Sequence, residues 1–217
     1  MKRYIALKNF IESLKDNDVA IFSGQEMCKE AYQYDRPGNF YIHDLYSVAP
    51  AFALGMAMCT DKRIFVFVGE GDLLREFGVA SQIAASRCSN IFLVILDNGT
   101  YQSAGNFPNI MESMRSKRGV MLNFGLVVFD FTVFLPKREF KKMRNFMQNL
   151  RGPVVLFMDI DKGVNKDLPD IDIAEEEMKE RLTAFIKNKE TGTSLYKISG
   201  PALHVNDVNP EVLTNGV

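Results

Sequence analysis

Residues 64–105, IFVFVGEGDLLREFGVASQIAASRCSNIFLVILDNGTYQSAG, hold two short apolar runs with a helix-length segment between them. The first run, Ile64 to Val68, stops at Gly69-Glu70-Gly71-Asp72, and the second, Ile91 to Leu96, stops at Asp97-Asn98-Gly99-Thr100. Periodicity reads this as strand, glycine turn, helix, strand, polar turn. A right-handed crossover returns the chain in the same direction, so both polar turns fall at one end of neighbouring parallel strands. Open α/β sheets bind ligands at that end. Glu70, Asn98 and the carbonyl of Thr100 can converge there as hard oxygen ligands, beside a helix N-terminus opening near Asp72. A divalent cation beside free N–H groups outlines a diphosphate site.

The rest of the chain repeats the pattern. Tyr4, Leu7, Ile11 and Leu14 recur at helical spacing, which predicts an amphipathic helix over 2–15. Val19 to Phe22 reads as a buried strand ending at Ser23-Gly24, and 25–34 as a short helix. Asp35-Arg36-Pro37-Gly38 reads as a turn. The charge-free segment 49–59 suits a helix buried on nearly all sides, and Leu73, Leu74, Phe77, Ala80 and Ala84 give the helix at 73–86 a face for the sheet. Further helices are expected at 109–124, 137–150 and 173–187, with strands at 126–129 and 153–160. Phe140, Met143, Phe146, Met147 and Leu150 form the core face of the 137–150 helix, and Glu175 to Glu177 complement the dipole of the last one. Arg115, Lys117 and Arg118 make a basic side that is either solvated or meets an anion. The fold class is therefore α/β: a doubly wound, mainly parallel sheet with helices on both faces. Residues 1–187 form one domain, and 188–217, which lose periodicity, a tail.

Composition sets outer bounds. A chain of 217 residues that is 47% hydrophobic can bury a substantial core. A net charge of −1 without a long basic run argues against nucleic acid as a partner. Cys28, Cys59 and Cys88 lack paired zinc spacing and read as buried free thiols of a reducing compartment. The opening MKRYIALKNFIESLK is too interrupted by charge for a leader or membrane span, which places the protein in the cytoplasm and off the membrane.

GEGDLL at 69–74 and LDNGTYQSAG at 96–105 resemble the paired turns with which thiamine-diphosphate (ThDP) enzymes hold Mg²⁺ and the cofactor diphosphate. DRPGNFY at 35–41, ALG at 53–55 and LRGPVVLF at 150–157 narrow the resemblance to the diphosphate-binding subunit of sulfopyruvate and phosphonopyruvate decarboxylases. The resemblance implies Glu70, Asn98 and Thr100 on the metal. It places Ser23, Gly24, Gly69, Gly71, Asp72, Leu73 and Tyr101 around the cofactor, with backbone N–H groups of Gly71 to Leu73 on the diphosphate. Ser23-Gly24 also reads as a plain strand-to-helix turn, and Asn98-Gly99 as an ordinary Asn-Gly turn. The family's Gly-Ser-Met-Gly loop falls on Asp44, Leu45, Tyr46 and Ser47, so Tyr46 takes the wedge position and Ser47 a glycine position. A carboxylate at 44 near a diphosphate is unfavourable unless paired or turned away; His43 is placed to offset it. Glu70 stands where the family has aspartate, and its extra methylene favours a retreated loop, or Ca²⁺ or Mn²⁺ over Mg²⁺. Asp72 reads as the helix N-cap, or as a substitute metal ligand.

The activity implied is decarboxylation of an anionic 2-keto acid, with the cofactor ring as electron sink. The activating glutamate belongs to a separate pyrimidine-binding domain, so a partner subunit and a homo-dimer or hetero-oligomer are expected. The departures at 44–47 and 70 also fit a non-catalytic subunit with an assembly or regulatory role.

Overall fold

The computed structural model describes residues 1–44, 47–113, 117–130, 140–163, 165 and 168–187, with the backbone alone at 112, 113 and 140–144. Six strands form one parallel sheet: β1 (Val19–Ser23), β2 (Asn39–Ile42), β3 (Ile64–Gly69), β4 (Ile91–Asp97), β7 (Val127–Asp130) and β8 (Val154–Asp159), in the order β2-β1-β3-β4-β8-β7. β5 (Thr100–Tyr101) and β6 (Phe107–Pro108) pair antiparallel beside it. The helices are α1 (Arg3–Ser13), α2 (Gln25–Tyr32), α3 (Ala49–Cys59), α4 (Glu70–Arg75), α5 (Gly78–Ser86), α6 (Ile110–Ser113), α7 (Lys117–Asn123), α8 (Phe140–Asn149) and α9 (Glu175–Lys187).

The period-2 alternation of strand side chains divides the core in two. Phe65, Phe67, Phe92 and Val94 face α1, α2 and α8. Ile64, Val66, Val68, Ile91, Leu93 and Ile95 face α3 and α5. Central strands apolar on both faces are what a covered parallel sheet requires. On the first face, stacked Phe65–Phe92 and Phe22–Phe67 pairs lie under Phe10, which meets Phe65 and Phe67 edge-on. At the N-terminal ends of the strands, the buried Asp18 carboxylate accepts hydrogen bonds from Arg63 and the backbone N–H of Lys15.

The expected doubly wound class is met, with local differences. β2 is absent from the sequence reading; it is an edge strand of four residues directly after the 35–38 turn. The single helix expected at 73–86 is two, opening earlier at Glu70 and breaking at Glu76, whose backbone leaves the helical region ahead of Gly78. Of the helix expected at 109–124, α6 and α7 are helical, and 114–116 lie outside the described residues. Of the expected α8 core face, Met147 is buried and Phe146 and Leu150 half-buried, while the side chains of Phe140 and Met143 lie outside the described residues. α9 carries Glu175 to Glu177 in its first turn as expected. The 188–217 tail lies outside the described residues. Only Cys28 of the three free thiols is buried, since Cys59 faces outward from α3; burial pushes the Cys28 thiol well above its ordinary range. Among the described residues no helix is long and apolar enough to cross a membrane.

Candidate functional site

The sheet order reverses direction between β1 and β3, and a cleft of about 350 Å³ opens at their C-terminal ends. Three strand-end loops line it: Ser23 to Gln25 after β1, Gly69 to Asp72 after β3, and Asn98 to Gln102 after β4. This is where a doubly wound sheet leaves a crevice that no crossover helix fills. Gly24 turns the first loop with φ 93°, a left-handed conformation that glycine adopts without strain. Gly71 leaves room for an aromatic ring: a Cβ there would lie 2.8 Å from Tyr101 Cδ1.

Glu70 is the first residue of α4 and only 2% exposed. Its Oε1 accepts hydrogen bonds from the backbone N–H groups of Asn98 (3.2 Å) and Thr100 (3.1 Å), and from Asn109 Nδ2 (2.8 Å). Oε2 takes none of the three. Asn98 Oδ1 accepts from Thr100 N–H and Oγ1, both at 2.9 Å. One N–H therefore serves both Glu70 and Asn98, and their oxygens lie within reach of a single donor. Burial, aided by the charge of Asp97, pushes the Glu70 carboxyl up to about 7. Burial also pushes Asp72, on the same wall, up to about 6, opposed by Arg75 and Arg3. Two raised carboxyls and an amide oxygen make a hard-oxygen donor set, which fits a divalent cation.

The expected residues fall into three groups. Ser23, Gly24, Gly69, Glu70, Gly71, Asp72, Asn98, Thr100 and Tyr101 line the cleft together. Leu73 and Ser47 do not: Leu73 is buried against the sheet, and Ser47 lies half-buried in the turn before α3. Tyr46 and Leu45 lie outside the described residues. Asp72 is not the helix cap, because α4 opens at Glu70 with Gly69 as its N-cap, leaving Asp72 third in the first turn. The N–H groups without intrahelical partners are then those of Gly69 to Asp72 rather than the expected Gly71 to Leu73. Asp44 is exposed and pairs with His43 Nδ1 at 3.1 Å, outside the cleft lining. Lys117 and Arg118 do not form a solvated basic face. Lys117 pairs with Asp97, and Arg118 with Asp130 at 2.7 Å, across the ends of β4 and β7. Arg115 lies outside the described residues.

Three residues of the site escape sequence reading. Asn109 reaches Glu70 from just beyond β6; its one local signal is a polar residue following Phe107-Pro108. Gln102 Oε1 accepts from Asn98 Nδ2 (3.0 Å) and Arg3 Nη1 (3.2 Å), while Gln102 Nε2 is buried without a hydrogen-bond partner among the described residues. Arg3 arrives from α1 and leaves no local signal.

Residues 24–154 match the family model of the thiamine pyrophosphate enzyme C-terminal TPP-binding domain. The chain belongs to that family. It is 30% identical to sulfopyruvate decarboxylase subunit beta of Methanothermobacter thermautotrophicus over 73% of this TPP-binding-family chain and 80% of the relative. With the subunit beta of Methanocaldococcus jannaschii it shares 31% identity over 48% of this chain and 56% of that one. With phosphonopyruvate decarboxylase of Streptomyces hygroscopicus it shares 29% identity over 48% of this chain but only 26% of the relative. The chain thus spans about half of the M. jannaschii relative and about a quarter of the S. hygroscopicus one. Solved structures share the fold at low identity. A thiamin diphosphate-dependent enzyme from Mycobacterium smegmatis superposes with TM-score 0.57 at 14% identity, over 75% of this chain and 32% of that one. Benzoylformate decarboxylase from Polynucleobacter necessarius gives 0.56 at 13%, over 75% and 33%.

Proposed function

We propose that this chain is the diphosphate- and metal-binding subunit of a ThDP-dependent 2-keto acid decarboxylase. Its substrate class carries an anionic tail, as the sulfopyruvate and phosphonopyruvate decarboxylases that it resembles indicate by their names. The observation that carries the reading is the convergence of the buried Glu70 carboxylate with the Asn98 turn at the mouth of a TPP-family cleft. Glu70, the Asn98 amide oxygen and the Thr100 carbonyl would hold a divalent cation, Mg²⁺ or the larger Mn²⁺ or Ca²⁺. The backbone at the start of α4 and the loop at Ser23-Gly24 would hold the diphosphate. The buried, unpartnered Gln102 Nε2 supports an oxygen-rich ligand here, because a buried donor without an acceptor is costly.

ThDP, when bound, supplies the electron sink for loss of carbon dioxide. This chain's residues do the holding. Glu70 stays ionised beside a cation and would otherwise carry a proton near neutral pH. Tyr101 packs over Gly71 and lines one side of the cleft.

A partner subunit is part of the proposal. The relatives named subunit beta support it, as does the S. hygroscopicus relative, of which this chain spans only a quarter. So does α3, which contains no charged residue and exposes Val48, Phe52 and Met58 along one side. Exposed apolar surface of this kind marks an interface.

Thermal unfolding tests the reading. The chain is titrated with ThDP plus Mg²⁺, Mn²⁺ or Ca²⁺, alone and with a pyrimidine-binding subunit. Ligand at a hundred times its Kd stabilises by about 2.7 kcal/mol. Stabilisation by the cation, and further stabilisation when ThDP is added with it, is expected. No shift in any combination would leave the non-catalytic subunit, which the substitutions at positions 44 and 70 favour.

A further inference from the structure

Asn98 is useful to a cation only through its oxygen. An amide can turn over, and this one sits beside the Glu70 carboxylate, which would attract its NH₂ end. Two unambiguous donors hold it the other way. At one end the Thr100 backbone N–H can only donate, and it meets Asn98 Oδ1 at 2.9 Å. At the other end Asn98 Nδ2 donates to Gln102 Oε1 (3.0 Å), and that oxygen is fixed as an acceptor because Arg3 Nη1, which can only donate, also reaches it (3.2 Å).

Arg3 is itself held. Its Nε and Nη2 bond the two oxygens of Glu30 at 2.8 and 3.2 Å, joining α1 to α2, and Arg3 and Glu30 are 9% and 2% exposed. A buried ion pair of this sort adds little stability over an apolar pair, and is best understood through what it orients. Here the one guanidinium nitrogen not spent on Glu30 is the one on Gln102.

We infer that Arg3, clamped by Glu30 and acting through Gln102, is a positioning residue that fixes the polarity of the Asn98 amide so that its oxygen faces the cation position. The inference rests on the proposed cation role of Glu70 and Asn98, but the polarity itself can be measured without a cation. Residues that orient a metal ligand typically change affinity by 10- to 100-fold when lost.

The test uses Gln102→Leu, the conservative Gln102→Glu, which keeps an oxygen for both Arg3 and Asn98, and the double variant Arg3→Met/Glu30→Met, which removes the ion pair without stranding a charge. Two quantities are read on the full chain: Mn²⁺ affinity by calorimetry, and solvent exchange of the Asn98 side-chain NH₂ protons by NMR in metal-free protein. Gln102→Leu and the double variant should bind Mn²⁺ at least about tenfold more weakly, and their Asn98 NH₂ should exchange about tenfold faster or more. Gln102→Glu should keep Asn98 NH₂ exchange within about threefold of wild type, while its added charge strengthens rather than weakens Mn²⁺ binding. Unchanged exchange in Gln102→Leu overturns the inference whatever Mn²⁺ does, and so does a loss in Gln102→Glu equal to that in Gln102→Leu. If the wild type binds no Mn²⁺, the cation reading fails separately, and exchange alone decides whether the amide is locked.

Discussion

Replacing Glu70 with Gln removes the buried charge and keeps an oxygen for the three donors at Oε1. In the folded chain the Glu70 carboxyl is raised from 4.5 to about 7, first by burial and then by Asp97. Between those values the folded form holds a proton that the unfolded form has lost. The stability this contributes is fully present below pH 4.5 and is lost as pH rises through 7. A shift of two to three pKa units corresponds to about 3 kcal/mol. Glu70→Gln has no such term, so in metal-free protein its stability relative to wild type should improve by about 3 kcal/mol between pH 4.5 and pH 8. For a domain of this size that is a relative gain of roughly 6–12 °C in melting temperature. Measuring the variant against wild type at each pH cancels any constant cost of the amide and the titration of Asp72. At pH 8, saturating Mn²⁺ should reverse the order, stabilising wild type and leaving the variant unmoved. A wild-type-minus-variant difference that stays flat with pH would refute the claim that burial holds Glu70 protonated near neutrality. Equal stabilisation by Mn²⁺ would refute its role as a ligand.

Two further outcomes follow from the geometry. Gly71→Ala places a methyl 2.8 Å from the Tyr101 ring, so urea unfolding should show a loss of about 1–3 kcal/mol, largely recovered in Gly71→Ala/Tyr101→Ala. Met58→Lys on the exposed side of α3 should leave the melting temperature of the isolated chain within about 2 °C, since a surface change alters stability by about 0.5 kcal/mol or less. The same variant should abolish co-elution with the pyrimidine-binding subunit.

The sheet and the place of the cleft are legible because the chain states them locally. The runs at 64–68 and 91–96 are apolar at every position, as strands covered on both faces must be, and each ends in a polar turn. The pairing of Glu70 with Asn98 follows from those two turns alone. What the chain does not state locally is where a distant helix points its polar side chains. Arg3 looks like one more charge on an amphipathic helix until α1 crosses α2 and meets Glu30. Lys117 and Arg118 look solvated until β4, β7 and β8 gather Asp97, Asp130 and Asp159 at one edge. The break at Glu76 and the edge strand β2 depend on packing that short windows of sequence do not contain. Asp44 shows the same limit in reverse: a carboxylate that falls on a glycine position of the family loop is exposed and paired with His43, a contact that the sequence does not state.

The six strands described in the main sheet run the same way, so the loops that line the cleft leave from one rim, while the Asp18–Arg63 anchorage sits at the other. A strand of six residues separates them by about 20 Å. Substitutions can therefore accumulate along the upper rim without loosening the foundation, and a scaffold of this kind can change its trade while keeping its shape.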